Sequence, residues 1–359
     1  MDVARPATIR VMSELPIDDL WSYYRRYEVI DFVQSRDGSS QTHAEEAGHC
    51  VRQAREYFRS ARSAPLLTRP VLLYYGMVSL GKLLLLLDEK TPMSMDDIEV
   101  LERHGGHGLK QYDPKPPDVG DGAFHLERSL VEVTIEQGKK GSVNGRGIFP
   151  QLAARVTPTG GMSWLGQRFT LEEILRAIPQ LDLHMRQAFG EDKGFTGLVV
   201  ANMTWSADRS VYKLEISREP SAPKDAEEAQ RRIAYLDPSA SPVTTGNDPY
   251  DPFTIPVEGA IAYSVVAREE LTRTAQVLPA TLYGERFDGL LAQYMAMYAL
   301  SIVARYKPHR WAEILEGRRS PLLPVLERLM ATAERWWPNL VLNRLEGAWV
   351  LFAPASYLS

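Results

Sequence analysis

A cluster of basic residues that contains a histidine follows a long apolar segment near the end of the chain. Its members are Arg305, Lys307, His309 and Arg310. An arginine can hold a phosphate through two parallel hydrogen bonds while a nearby histidine transfers protons. Arg305 and His309 are therefore candidate catalytic residues for cleavage of an RNA phosphodiester, and Arg310 is a candidate ligand-binding residue. A structural role stays open, because cations also collect at helix C-termini and complement the helix dipole.

A second group of basic residues lies in a glycine-rich segment. It consists of Arg103, His104, His107 and Lys110. Glycine lets the backbone approach a ligand closely, and loops often carry binding residues. All four residues are therefore candidates for binding an anion or a nucleotide. The alternatives are a turn that His107 stabilises through the backbone, and a metal site completed by Glu102 or Asp113. No metal is predicted, because no third histidine lies nearby in the sequence.

Lys82 is the third candidate for ligand binding, because it interrupts the most apolar segment of the chain, Val71–Leu87. A buried lysine requires a partner or a shifted pKa, whereas a lysine at the surface extends its charged end into water. Tyr74 and Tyr75 precede Lys82 by about two helical turns and can line the same face. Convergence of Lys82 with the basic residues of the other two groups would indicate a ligand site.

Common catalytic signatures are absent from the sequence. There is no Gly-x-Ser-x-Gly elbow, no His-Glu-x-x-His pair and no dinucleotide-binding fingerprint. The glycine-rich stretch 141–147 lacks the Gly-Lys-Ser/Thr ending of a phosphate loop. No cofactor is predicted, and the motifs leave open whether the protein is an enzyme.

Composition and charge narrow the class of protein. With 44% hydrophobic and 24% charged residues the chain is typical of a globular protein with a packed core. A net charge of -5 argues against a surface dominated by attraction to nucleic acid or anionic lipid. The single cysteine, Cys50, excludes an internal disulfide. Because residues 1–16 also lack the apolar core of a secretory signal, we expect a cytoplasmic protein that does not enter a membrane.

Hydrophobic periodicity predicts helices at both ends of the chain. The predicted N-terminal helices are Ile17–Phe32, one that begins near Thr42 as its N-cap, the buried helix Val71–Leu87, and Asp96–Arg103. Helical spacing returns in Phe287–Tyr306, Trp311–Leu315 and Pro321–Trp337. The helix Val71–Leu87 is apolar on nearly all sides, which indicates a core helix.

The middle of the chain alternates with a period of two residues, which predicts strands. The predicted strands are residues 131–136, a hairpin of Phe195–Trp205 and Ser210–Ile216, and the segments Arg232–Leu236, Ala260–Val266 and Trp349–Phe352. One predicted helix, Leu171–Phe189, has Thr170 as its cap and is kinked or broken by Pro179.

These elements predict an α+β fold that is predominantly helical. N- and C-terminal helices form a bundle around a buried helix, and the central region is rich in strands. The predicted domains are an N-terminal helical region, 1–115, a β-rich central region, 116–275, and a C-terminal helical region, 276–359, that packs back on the N-terminal helices.

Several segments, in order along the chain, resemble the YaaC-like bacterial proteins. They are Arg69–Lys82, which reads RPVLLYYGMVSLGK, then Gly106–Leu109, Arg305–Trp311 and Trp337–Asn343. The family is largely uncharacterised. The resemblance implies a cytosolic protein of unknown activity that acts as an accessory, binding or regulatory component, with a protein partner or a second copy of itself.

A looser resemblance is to the helical HEPN superfamily, which includes ribonucleases of antiviral systems. Its signature is an arginine and a histidine that act together across a dimer interface. The nearest pairs here are Arg305 with His309 and Arg103 with His107, each with three intervening residues, fewer than is usual. This resemblance implies the alternative function, a ribonuclease or nucleotide-responsive effector of antiviral defence with RNA or a nucleotide as partner.

Overall fold

Two compact units make up the structure. The computed structural model describes residues 7–113, 125–137, 143–157, 162–196, 198–205, 211–216, 253–258, 266–269, 274–278, 280–282, 285–317 and 321–353. The terminal unit consists of Ala7–Ile174 with Gln293–Ser359, and the central unit consists of Met1–Pro6 with Leu175–Ala292. The three-part domain division proposed from the sequence stays a prediction.

The fold is α+β and predominantly helical, as predicted. The helices of the described chain are α1 (Pro16–Tyr24), α2 (Ile30–Asp37), α3 (Gln41–Ser63), α4 (Arg69–Leu86), α5 (Met95–Gly105), α6 (Ile148–Val156), α7 (Leu171–Arg176), α8 (Asp182–Phe189), α9 (Gly289–Tyr306), α10 (Pro308–Leu315) and α11 (Leu323–Glu346). The strands of the terminal unit are β1 (Ala7–Met12), β2 (Leu109–Tyr112), β3 (Leu130–Val133), β4 (Ile135–Gln137), β5 (Val143–Gly145), β6 (Arg168–Thr170) and β14 (Ala348–Ala353). Those of the central unit are β7 (Leu198–Trp205), β8 (Val211–Ile216), β9 (Phe253–Glu258), β10 (Val266–Glu269), β11 (Thr274–Leu278), β12 (Ala280–Leu282) and β13 (Glu285–Phe287).

The first predicted helix is divided in the structure. A 3₁₀ turn, Arg25–Glu28, follows α1, and Val29 is extended with φ -96 and ψ 116 before α2 begins. The cap of α3 also differs from the prediction. Ser40, rather than Thr42, is the N-cap, and its side chain accepts a hydrogen bond from the backbone N–H of His43. Ser40 satisfies an N–H group that the first turn of a helix leaves free.

Helix α4 is the core helix that the sequence predicts. Among the described helices it alone is long and apolar enough to cross a membrane, and 67% of its 18 residues are buried within the protein. Gly76 lets α3 approach closely, because a Cβ there would lie 2.7 Å from ring atoms of Phe58. These contacts identify α4 as an interior helix of the terminal unit.

Helix α11 connects the end of the chain to the N-terminal helices. The buried carboxylate of Glu334 accepts hydrogen bonds from Arg62, at 2.9 Å, and from Arg69. Tyr24 donates a hydrogen bond to the carbonyl of Pro338 at 2.7 Å. Strands β1 and β14 pair in parallel beside them. Segments that are distant in sequence therefore share one core.

The strand predicted at residues 131–136 is two strands in the structure, and these belong to different small sheets of the terminal unit. Strand β3 lies between β2 and β6, whereas β4 pairs with β5 in a separate hairpin, so the predicted strand is divided at Thr134. The break at Pro179 is confirmed, because Pro179 begins a 3₁₀ turn between α7 and α8. Thr170 caps α7 as predicted and accepts a hydrogen bond from the N–H of Glu173 at 3.2 Å.

The central unit contains a five-stranded sheet of order β10-β11-β7-β8-β9. The predicted hairpin is confirmed by antiparallel pairing of β7 with β8. The strand predicted at Arg232–Leu236 lies outside the described residues, as does all of Ala260–Val266 except its last residue.

We predict that replacement of Glu346 by alanine lowers the free energy of unfolding by about 3 kcal/mol, because it removes the carboxylate that pairs with partly buried Arg26. Its carboxylate accepts hydrogen bonds from Arg26 at 2.6 and 2.8 Å and also lies 3.8 Å from Arg36. Urea denaturation measures the change. The matched control is Glu56→Ala, which removes an exposed pair with Arg59 and should cost less than about 1 kcal/mol. Equal effects of the two substitutions would contradict this assignment.

Candidate functional site

Three tyrosines form the floor of the candidate site in the terminal unit. Tyr74 of α4 donates a hydrogen bond to Tyr294 of α9 at 3.4 Å, and the Tyr74 ring lies 5.6 Å from that of Tyr298. Tyr298 donates to the carbonyl of Leu109 at 2.8 Å. Burial raises the pKa of Tyr74 well above its usual value and that of Tyr298 to about 12. The three phenols therefore remain neutral and form an apolar, hydrogen-bonded floor.

His107 lies above this floor in the loop between α5 and β2. Gly106 and Gly108 have positive φ angles of 58° and 79°, which favour glycine. A Cβ at Gly108 would lie 2.5 Å from Pro150, so only glycine fits there. The carbonyl of His107 accepts a hydrogen bond from the N–H of Phe149 at 3.0 Å. The loop is thus held against the start of α6.

The His107 ring is surrounded by tyrosines. Its centroid lies 5.1 Å from the Tyr74 ring, edge to face, 6.2 Å from Tyr298 and 6.5 Å from Tyr75. Its Nδ1 atom is buried and has no hydrogen-bond partner within the described residues. Because buried polar atoms in folded proteins are nearly always hydrogen-bonded, this nitrogen is a candidate ligand contact.

The electrostatic surroundings keep the imidazole neutral. Burial, and then the positive charge of Arg305, lower the pKa of His107 below its usual 6.5. Lys82 lowers this pKa further, whereas Glu102 opposes the shift. At neutral pH the ring therefore carries one N–H donor and one acceptor nitrogen.

Arg305, at the end of α9, is the cation of the site. It is half-buried and donates hydrogen bonds to the Tyr75 hydroxyl at 2.8 Å and to the Ser301 carbonyl at 3.1 Å. Both acceptors are neutral. In the part of the chain that the structure describes, no carboxylate lies within ion-pairing distance of this guanidinium. Within the described residues the positive charge of Arg305 therefore has no counter-charge.

Lys82 is the second cation near His107, and its charge is balanced. Its ammonium group donates to Glu102 of α5 at 2.7 Å, and the side chains of Lys82 and Glu102 are 19% and 29% exposed. The lysine therefore neither extends freely into solvent nor lies buried without a partner. The net positive charge of the site comes from Arg305.

The structure brings together three of the residues selected from the sequence, Lys82, His107 and Arg305. The other candidates lie elsewhere or face solvent. Arg103 and His309 are exposed, Lys110 lies 4.9 Å above the Tyr112 ring, and Arg310 pairs with Glu313 at 3.4 Å; the side chain of His104 lies outside the described residues. No hydrogen bond or ion pair joins Arg305 to His309 in the described chain. The catalytic assignment of this pair stays a prediction.

The importance of α9 as a lining element was missed in the sequence. Tyr294, Tyr298, Ser301 and Arg305 follow one another at intervals of four, three and four residues. Such spacing places them on one face of a helix, so this signal could have identified the lining.

The arrangement suits an anion better than a metal ion. The described residues contain no group of three or more histidine, cysteine, aspartate or glutamate side chains that could hold a metal. Arg305 offers planar N–H donors, which match the geometry of a phosphate or carboxylate. His107 can add one hydrogen bond beside it.

Comparisons with known proteins give a family and no relative of known structure. A model of the family described as YaaC-like Protein matches residues 18–345, nearly the whole chain. No curated protein and no solved structure matches.

We predict that His107 titrates below pH 6.5 in the folded protein and that Arg305→Gln raises its pKa, since one of the cations that lower it is removed. Histidine NMR signals recorded against pH, with His107→Gln to assign the resonance, measure both values. Because the unfolded chain binds this proton more readily, the His107 contribution to stability is present above pH 6.5 and is lost as the pH falls below it. An unchanged pKa in Arg305→Gln would contradict the proposed proximity; Arg59→Gln is the control.

Proposed function

Because the chain belongs to the YaaC-like protein family, whose description names no reaction, we propose its function from its own site. The protein is an accessory or regulatory binding protein of the cytoplasm, and it binds a small phosphate-bearing anion between Arg305 and His107. Half-buried Arg305 has no carboxylate partner among the residues that the structure describes, and this observation carries the proposal.

The charge of Arg305 supports an anionic ligand. Partly buried charges in proteins are usually paired, and the described terminal unit follows this rule elsewhere. Glu334 pairs with Arg62 and Arg69, and Glu346 pairs with Arg26 and Arg36. Within the described residues, the hydrogen-bond acceptors of Arg305 are instead hydroxyl and carbonyl groups, and no carboxylate is among them. An anion would supply the missing counter-charge.

His107 and Lys82 support the same ligand. The free Nδ1 atom of His107 can bond to a phosphate oxygen, either as an N–H donor or through a protonated phosphate hydroxyl. Lys82 is held by Glu102 and adds no net charge. The site therefore favours an anion of low charge over a polyanion.

The features of the site favour binding over catalysis. The buried tyrosines have raised pKa values and keep their protons, so they do not serve as bases at neutral pH. Cys50, the single cysteine, is buried and its pKa is raised to about 12, so it is a poor nucleophile. A reduced, buried thiol is consistent with the cytoplasmic location that we propose.

We predict that isothermal titration with inorganic phosphate shows saturable binding that Arg305→Gln weakens about 10- to 100-fold, because charge-assisted hydrogen bonds are lost. Arg305→Lys should bind with intermediate affinity, since it keeps the charge without the planar pair of donors.

The matched control is Arg59→Gln, which removes an exposed arginine of α3 and should leave phosphate affinity unchanged. Absence of saturable binding to the native protein, or equal affinity in Arg305→Gln, would overturn the proposal.

The ribonuclease alternative predicts a different result with RNA. In it Arg305 with His309, or Arg103 with His107, act across a dimer interface. Incubation of the protein with mixed RNA should then give cleavage that His309→Ala or His107→Ala abolishes. If the RNA stays intact with the native protein and with the variants, the ribonuclease alternative loses its support and the binding function remains the proposal.

A further inference from the structure

An exposed aromatic ring lies directly beside the anion-binding arginine. Tyr306, the last residue of α9, is 68% exposed, which is unusually high for a large aromatic ring. The guanidinium carbon of Arg305 lies 5.1 Å from the centroid of this ring. The side chain that would hold the anion is therefore bordered by a flat surface open to solvent.

A second aromatic ring, that of Tyr75, also lies against the Arg305 guanidinium. Arg305 is 5.5 Å from the centroid of the Tyr75 ring, and Tyr75 is stacked on Tyr57 with centroids 5.8 Å apart and an angle of 26°. Cation–π contacts with both Tyr75 and Tyr306 hold the guanidinium in place. Its donors are thus positioned next to the exposed ring rather than free to move.

We propose that the ligand is a nucleoside monophosphate, whose phosphate binds Arg305 and His107 while its base stacks on Tyr306. This inference rests on the proposed anion site and adds the chemical class of its ligand. Every base has a flat π face, and stacking on an aromatic side chain contributes about 1–3 kcal/mol. A phosphate that lacked a planar group would leave the Tyr306 ring exposed to water.

The proposal accounts for features that a bare phosphate site does not require. The hydroxyl groups of the neutral tyrosine floor are already hydrogen-bonded to Tyr294 and to the Leu109 carbonyl. They therefore offer little to a sugar or to a further charged group. The exposed ring of Tyr306 is the surface beside Arg305 that can still contact an uncharged, planar part of a ligand.

The test compares four probes by isothermal titration on the full chain: inorganic phosphate, ribose 5-phosphate, adenosine 5′-monophosphate and adenosine. Adenosine 5′-monophosphate should bind about 5- to 150-fold more tightly than ribose 5-phosphate, which is the stacking contribution expressed as affinity. Tyr306→Ala should abolish this difference, so that adenosine 5′-monophosphate binds this variant no more tightly than ribose 5-phosphate does. Tyr306→Phe should retain it, because the ring remains.

The matched control is Tyr23→Ala. The ring of Tyr23 lies 4.4 Å from the guanidinium carbon of Arg26, but Arg26 is already paired with Glu346. This substitution should change none of the four affinities.

The outcomes separate the two proposals. Equal affinities for ribose 5-phosphate and adenosine 5′-monophosphate would overturn the nucleotide and retain the anion site. If Tyr306→Ala weakens phosphate binding as strongly as nucleotide binding, the ring only positions Arg305. This result would also overturn base stacking. Failure of every phosphate-bearing probe to bind would overturn the anion site itself.

Discussion

Close packing around α4 is the constraint on which the terminal unit depends. Gly76 and Gly81 bring neighbouring side chains against the helix, since a Cβ at these positions would lie 2.7 Å from Phe58 and 3.1 Å from Leu152. Interiors packed this tightly allow little movement of one element against another. Because Tyr75 and Lys82 project from the same helix, its packing also fixes part of the candidate site.

The partly buried arginines of the terminal unit differ in whether a carboxylate is paired with them. Glu334 and Glu346 lie on α11 and neutralise arginines from the N-terminal helices, so the ion pairs hold together segments that are far apart in sequence. Arg305 has no such partner in the described chain. Its departure from the pattern of these ion pairs is the reason that we propose a ligand there.

The family assignment and the proposed function rest on different kinds of evidence. Membership in the YaaC-like family follows from a match over residues 18–345 and says nothing about chemistry. The proposed binding function rests on a local arrangement of side chains, in which a neutral histidine and a charged arginine share the Tyr75 ring. Fold and site must be argued separately, because one fold can carry many functions.

The sequence by itself determined the core helix α4, the capping of α7 at Thr170, the break at Pro179 and the β7–β8 hairpin, because hydrophobic period, capping residues and proline act locally. It also identified Lys82, His107 and Arg305 as residues able to do chemistry. It paired Arg305 with His309, its neighbour in sequence, and that pairing stays a prediction; in the structure His107 and Arg305 both lie close to the Tyr75 side chain. Only the tertiary structure brought His107, on the loop after α5, and Arg305, at the end of α9, to the same Tyr75 side chain of α4, because contacts between distant segments depend on how whole elements meet and leave no periodic signal in the chain.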